Sequence, residues 1–185
     1  TAHAIANAYW KKEDRENNVD LISAANVILN HERTLWDRKK EHPDFLTVRL
    51  GIGNVKPQIE INYPEEHFTM EEDVLDDVYN ELFDSIKDIE NVPVTLNLVK
   101  KRFTGIVGDY TLTSKFLDGI LLNVLAFHSY DILKIVVFTS EEKRINWEKY
   151  RNIPHFWSNE KNIRFIGIGS DDINKISNNL MQIYN

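Results

Sequence analysis

The stretch between residues 105 and 115 contains the residues of this sequence that most resemble a phosphate-binding loop. A working loop has the pattern G-x-x-x-x-G-K-[ST], whose lysine contacts the β- and γ-phosphates and whose hydroxyl binds magnesium. Here Gly108 is followed by Asp109, and no glycine precedes a lysine. Asp109 would place a negative charge where a phosphate needs hydrogen-bond donors. The stretch therefore predicts a degenerate nucleotide loop, whose candidate residues are Gly105, Gly108, Asp109, Thr113, Ser114 and Lys115.

Two interpretations of this loop stay open. It is either a plain glycine turn capped by Thr113 or Ser114, or a diverged site that still binds nucleotide. The missing lysine favours the plain turn, because a point charge at the β- and γ-phosphates is hard to replace. Only Arg102, Lys115 or Arg144 could replace it, and only if the fold brings one of them to the turn.

The elements around the loop predict a strand–helix–strand unit. Strands are predicted over 94–98 and 103–107, followed by a helix over 113–127 with apolar residues at helical spacing and an apolar strand over 133–138. In nucleotide-binding proteins of this class, the phosphates lie at the turn that precedes such a helix. A last strand over 163–168 and a final helix over 172–184 would extend this α/β pattern.

The N-terminal half predicts helices and an antiparallel pair of strands. Residues 1–30 indicate a helical linker segment, which includes a short helix over 21–26. Alternation predicts strands over 45–51 and 59–63, with turn residues at 51–54 after the first. A capping box predicts a helix over 70–89, whose acidic face is better explained by solvation than by metal binding.

These elements together predict a three-layer α/β fold with a mostly parallel sheet, like that of P-loop ATPases, plus an N-terminal helical and antiparallel-strand element. The predicted division is a linker over 1–30 and a degenerate ATPase-like domain over 31–185, which we expect to be C-terminally incomplete. Because the first residue is Thr1, we also expect the chain to be a piece of a longer protein.

Composition excludes several classes of function. The chain has 185 residues, 42% of them hydrophobic and 28% charged, as is typical of a globular domain. Without any cysteine it has no disulfide, no cysteine–zinc site and no thiol nucleophile. A net charge of −7 argues against nucleic-acid binding, and the basic run Lys100-Lys101-Arg102 is better explained as a solvated loop. We expect no bound metal and no catalytic residue.

The remaining candidates favour structural roles. His155 lies in a cluster of aromatic residues without a serine or acid at a useful spacing, so a packed or hydrogen-bonded histidine is favoured over an acid–base catalyst. His31-Glu32 begins like a zinc-protease motif, but the second histidine is replaced by Leu35. Trp36 and the other tryptophans of the C-terminal half are predicted to be structural, namely Trp147 and Trp157.

Several phrases, taken together, resemble the EssC/EccC family, the membrane-bound FtsK/SpoIIIE-type ATPases of type VII secretion systems. The resemblance covers most of the chain from about Asp20 onward, and its most specific part is L-W-x-R followed by D-F-L-x-x-R-x-G. The phrases are Leu35-Trp36-Asp37-Arg38, Asp44-Phe45-Leu46-Thr47-Val48-Arg49-Leu50-Gly51-Ile52-Gly53, Val92-Pro93-Val94, Gly105-Ile106-Val107-Gly108, His128-Ser129, Trp147 and Pro154-His155-x-Trp157.

The resemblance implies a cytosolic domain between the transmembrane helices and the tandem ATPase domains, at the cytoplasmic face of the membrane. Counting back from His128 places Leu112, Thr113 and Ser114 where the family's G, K and S/T would lie, and only Ser114 matches. The implied role is a non-catalytic coupling domain for export of small helical-hairpin proteins, with links to virulence. The alternatives are a diverged active ATPase domain and a docking module for substrates or partners.

The resemblance also implies partners and cofactors. The implied partners are the downstream ATPase domains, other secretion components and the exported hairpin proteins, in an assembly that could be a hexamer. ATP and magnesium would belong to the parent protein, not to this fragment, and the membrane would be reached only through the parent's transmembrane helices.

Overall fold

A computed structural model describes most of the chain and shows a mixed α/β structure that divides into two units. The described residues are Lys12, 15–55 and 89–184. One unit comprises 1–20 and 47–96, and the other comprises 21–46 and 97–185. The predicted strand over 59–63, nearly all of the predicted helix over 70–89 and most of residues 1–14 lie outside the described part. The predicted division into a linker over 1–30 and a domain over 31–185 stays a prediction.

The first unit contains a two-stranded sheet. Strand β1 spans Thr47–Val55 and strand β2 spans Ile89–Asn97. The pair is antiparallel, because the Leu98 N–H, just after β2, donates to the Leu46 carbonyl, just before β1, at 2.9 Å. The prediction of a strand near 45–51 is confirmed, but the predicted turn at 51–54 is wrong, because these residues continue β1.

The second unit is organised around one long helix. Helix α1 spans Leu21–Leu29 and packs against helix α2, which spans Tyr110–Phe127. The predicted helix over 113–127 is thus confirmed, with a start three residues earlier. Its cap is Asp109, so the predicted cap at Thr113 or Ser114 is wrong: the Thr113 hydroxyl instead donates to the Tyr110 carbonyl inside the helix.

The parallel pairing is smaller than the sequence predicts. Strand β3 (Val137–Thr139) pairs in parallel with strand β4 (Ile166–Ile168). Three short 3-10 helices lie between them, over Glu141–Asn146, Glu148–Tyr150 and Pro154–Phe156. The predicted strand over 103–107 is wrong, because these residues have no regular structure and lie exposed. The predicted strand–helix–strand unit is therefore not formed through α2.

Helix α3 (Gly169–Tyr184) follows β4 directly and packs against it. Its Ile176 is 1% exposed, whereas Ile183 near its end is 54% exposed. Gly167 permits this packing, because a Cβ there would lie 3.0 Å from the Ile176 Cδ1 atom. The core between α2 and the C-terminal segment is formed by Leu121, Leu125, Val137, Tyr150 and Phe156.

Among the described residues, no helix has the length and apolar character needed to cross a membrane.

Candidate functional site

The N-terminal end of α2 is where the sequence placed the degenerate nucleotide loop. The Asp109 carboxylate accepts hydrogen bonds from the backbone N–H groups of Thr111 (2.9 Å) and Leu112 (3.1 Å). These are two of the donors that a helix N-terminus offers to an anion. The chain's own carboxylate therefore occupies part of the position that a phosphate would use.

The other candidate loop residues are dispersed over an open surface. Gly105 and Gly108 lie exposed, and a Cβ added to Gly105 would meet no atom within 4 Å. Ser114 is half-buried in the second turn of α2, and Lys115 after it is exposed. Arg144, a candidate replacement for the missing lysine, is held in ion pairs outside the loop, at 3.3 Å from carboxylate oxygens of Glu141 and Glu148.

The C-terminal end of α2 is bound by a segment from the N-terminal half. A helix leaves its last carbonyl groups without partners inside the helix. The Trp36 side chain donates from Nε1 to the Leu125 carbonyl at 3.1 Å, and the Trp36 backbone N–H donates to the Ala126 carbonyl at 3.0 Å. The Arg38 N–H donates to the Phe127 carbonyl at 3.0 Å. The L-W-x-R phrase thus serves as the C-terminal cap of α2.

Arg38 adds a buried charge to this end of the helix. The residue is 6% exposed, its Nε lies 3.0 Å from the Asp44 carboxylate, and its guanidinium lies 4.8 Å from the centre of the Phe127 ring. Burial lowers the pKa of Arg38, and Asp44 opposes that shift. Loss of Asp44 would leave a buried charge without this partner, which is strongly destabilising.

His128, the residue after α2, connects three parts of the chain. It is fully buried, and its Nε2 accepts a hydrogen bond from the Leu46 N–H at 3.0 Å. Because Nε2 is the acceptor, the proton of the neutral ring lies on Nδ1, which donates to the Val124 carbonyl at 3.1 Å. The Phe45 ring packs edge-on at 5.4 Å. Burial is the main cause that lowers the pKa of His128.

His155 completes the arrangement. It is 2% exposed, and its Nε2 donates to the His128 carbonyl at 2.7 Å. Its Nδ1 is buried and has no hydrogen-bond partner among the described residues. The rings of Trp36 and Tyr130 surround it at 6.5 and 6.1 Å. Burial lowers the pKa of His155 as well. The prediction of a packed, hydrogen-bonded histidine is confirmed.

We call the five residues Trp36, Arg38, Leu46, His128 and His155 the histidine clasp. Both nitrogens of His128 are hydrogen-bonded to the backbone, and both histidine rings are buried, which is typical of histidines that stabilise a fold. The clasp therefore fixes the segment over 36–46 to α2. Hydrophobic periodicity could not predict the histidine clasp. The signal in the sequence was the set of separate phrases that carry the family resemblance, because several of them meet here.

A polar cavity of about 160 Å³ lies on one face of β4. Three arginines and three carboxylates share its wall with apolar residues, so its formal charge is balanced. None of the loop residues 105–115 lines it. The charged residues are Glu141, Arg144, Glu148, Arg151, Arg164 and Asp172.

Metal ligands do not gather in the part of the chain that the structure describes: no three His, Asp or Glu side chains there lie close enough to hold an ion.

Comparison with known proteins identifies the class of protein. No family model matches the chain. The "Type VII secretion system protein EssC" of Staphylococcus aureus is 30% identical over 132 residues, which are 70% of this chain and 9% of that protein. The "ESX secretion system protein YukB" of Bacillus subtilis is 29% identical over 123 residues, 66% of this chain and 8% of that protein.

Both relatives are components of secretion systems, and this chain is similar to less than a tenth of either one. The chain belongs to the EssC/EccC family of type VII secretion proteins.

Proposed function

We propose that this chain is a non-catalytic coupling domain of a type VII secretion ATPase. It would lie at the cytoplasmic face of the membrane and transmit changes between the membrane part and downstream ATPase domains that export small helical-hairpin proteins. ATP and magnesium would bind in those downstream domains. Its partners would be those domains, other secretion components and the exported proteins, within an assembly such as a hexamer.

The observation that carries the proposal is the capping of α2 by Asp109. A nucleotide phosphate at this helix would have to displace a carboxylate that already accepts two backbone N–H bonds. It would also approach that negative charge without the motif's lysine. We also propose that the fold is a degenerate form of the three-layer core of P-loop ATPases. The parallel pairing of β3 with β4 and the position of α3 directly after β4 support this proposal.

The histidine clasp supports a mechanical role. Helix α2 has 18 residues, a rigid length of about 27 Å at 1.5 Å per residue. Its C-terminal end is fixed to 36–46 by four hydrogen bonds, three to its last carbonyls and one from Leu46 to His128. A displacement of α2 would therefore move this segment with it.

Nucleotide titration separates the coupling domain from a diverged active ATPase. We expect isothermal calorimetry with Mg-ATP to show no binding by the chain at micromolar concentrations. A micromolar dissociation constant that is lost in Lys115→Ala would favour the active-ATPase alternative.

Export by the full-length protein tests the role itself. Ser114→Ala and Lys115→Ala should leave secretion intact, whereas Leu35→Asp or Phe45→Asp should abolish it by disrupting the segment that the clasp holds. Protein levels are checked by blot in each strain. Loss of export in the Ser114 and Lys115 variants, with the domain still folded, would show that the loop is a working site.

A further inference from the structure

Residues 99–107 form a loop in which exposed cations precede exposed apolar side chains, and we call it the basic–apolar loop. Lys100, Lys101 and Arg102 are exposed, and the ion pairs formed in the described part of the chain do not include them. Phe103 is 97% exposed and Val107 is 98% exposed. Two nearly fully exposed apolar side chains, one directly after three cations and one four residues further on, are not explained by solvation alone.

The charge of this region is opposite to that of the chain. The chain carries a net charge of −7, but residues 98–117 contain four cations and one carboxylate. That carboxylate, Asp109, is engaged with the N–H groups at the start of α2. The loop therefore presents a local positive charge beside its apolar side chains.

We propose that the basic–apolar loop binds the surface of an anionic lipid bilayer. Cations adjacent to a protruding aromatic residue are the chemistry of an interfacial membrane contact, in which the cations meet anionic headgroups and the apolar side chains enter the boundary of the acyl chains. Lys100, Lys101 and Arg102 supply the first part, and Phe103 and Val107 the second.

Other partners fit these residues less well. A nucleic acid would use the cations, but its phosphate backbone has no apolar surface for Val107. An apolar protein surface could pack against Phe103 and Val107, but it would offer no negative charge to the three adjacent cations. The proposal departs from our expectation that the membrane is reached only through transmembrane helices.

Vesicle co-sedimentation of the 185-residue chain tests the proposal. We expect binding to phosphatidylcholine vesicles that contain phosphatidylglycerol, weak binding to phosphatidylcholine alone, and a decrease in affinity with added salt. Lys100→Gln with Lys101→Gln should weaken binding about 25-fold, at about fivefold for each cation. Phe103→Ser with Val107→Ser should weaken it by at least about tenfold, because both lose apolar area that enters the bilayer.

Matched variants serve as controls. Ile145→Ser removes another exposed apolar side chain, 75% exposed, that follows an Arg144 already paired with two glutamates. Lys39→Gln with Lys40→Gln removes an exposed pair of lysines outside the loop. Both should bind like the native chain, and thermal melts should show that all variants fold alike.

Several results would overturn the proposal. They are equal affinity for neutral and anionic vesicles, no binding to anionic vesicles at low salt, or native affinity in either loop variant. Self-association that Phe103→Ser abolishes, seen by ultracentrifugation, would identify the loop as a contact between copies. Tighter binding to single-stranded DNA than to anionic vesicles would identify a nucleic-acid site.

Discussion

Protonation of the two clasp histidines should destabilise the fold as the pH falls. Both rings are buried, and burial lowers the pKa of His128 and of His155 from the ordinary value of 6.5. Below that value the unfolded chain binds protons that the folded chain does not, so the free energy of unfolding decreases. This contribution to stability is fully present above the unfolded pKa and is lost as the pH falls toward the folded pKa values.

The structure gives a physical cost for each protonation. A proton on His128 Nε2 would place two donors against each other, because that atom accepts the Leu46 N–H. A proton on His155 Nδ1 would create a buried charge at an atom without a hydrogen-bond partner in the described part of the chain. Arg38 opposes the protonation of His128, whereas Asp44 favours it. Lys134 opposes the protonation of His155, whereas Asp131 favours it.

The upper limit of the effect follows from linkage. A histidine that stays neutral in the folded chain lowers the free energy of unfolding by at most about 1.4 kcal/mol at pH ~5.5, one unit below its pKa in the unfolded chain. Both histidines together therefore lower the free energy of unfolding by at most about 3 kcal/mol relative to pH ~8. That is a large fraction of the stability of a typical domain.

Urea unfolding between pH ~5.5 and pH ~8 measures this change, in a range where most carboxylates stay ionised. His155→Gln removes the titrating ring and leaves an amide that can donate to the His128 carbonyl, so the pH dependence should fall by up to half. His31→Gln, at an exposed histidine, should leave it unchanged. A stability that is flat with pH in the native chain, or equally steep after His155→Gln, would refute this reasoning.

Four further predictions concern stability. Asp109→Ala should lower the free energy of unfolding by about 1 kcal/mol through loss of the α2 cap, and Asp109→Ser should recover most of it in thermal melts followed by circular dichroism. Trp147→Ala should lower the free energy of unfolding in urea by about 3 kcal/mol, because Trp147 packs against the core beside Tyr150. Trp157→Ala should also lower the melting temperature. An unchanged melting temperature together with loss of a partner in pull-down would instead mark Trp157 as a binding residue. Phe45→Glu should unfold the clasp by placing a charge against the buried His128 ring, whereas Phe103→Glu, at a fully exposed position, should leave the melt unchanged; equal melts for the two variants would contradict the packing.

The local elements with strong periodicity were predictable from sequence. The apolar spacing of α2 fixes its buried face whatever surrounds it, and Leu121 and Leu125 lie in the core as expected. Its start was missed because Asp109, Thr113 and Ser114 are all good capping residues, and only the backbone path decides among them. The prediction of a strand over 103–107 was wrong for a related reason, since β-branched residues favour a strand only where a neighbouring strand pairs with them.

The sequence by itself determined the family, the absence of cysteine chemistry and the loss of the nucleotide loop's lysine, because these depend on which residues are present and in what order. Only the tertiary structure decided that Trp36, Leu46 and His155 meet at the C-terminal end of α2. There Trp36 bonds to Leu125, 89 residues away along the chain, and Leu46 bonds to His128, 82 residues away. Likewise, only packing decided that Phe103 and Val107 are exposed while the similar apolar residues Leu121 and Leu125 are buried. Contacts between distant residues depend on how the elements pack, and no local pattern encodes that packing.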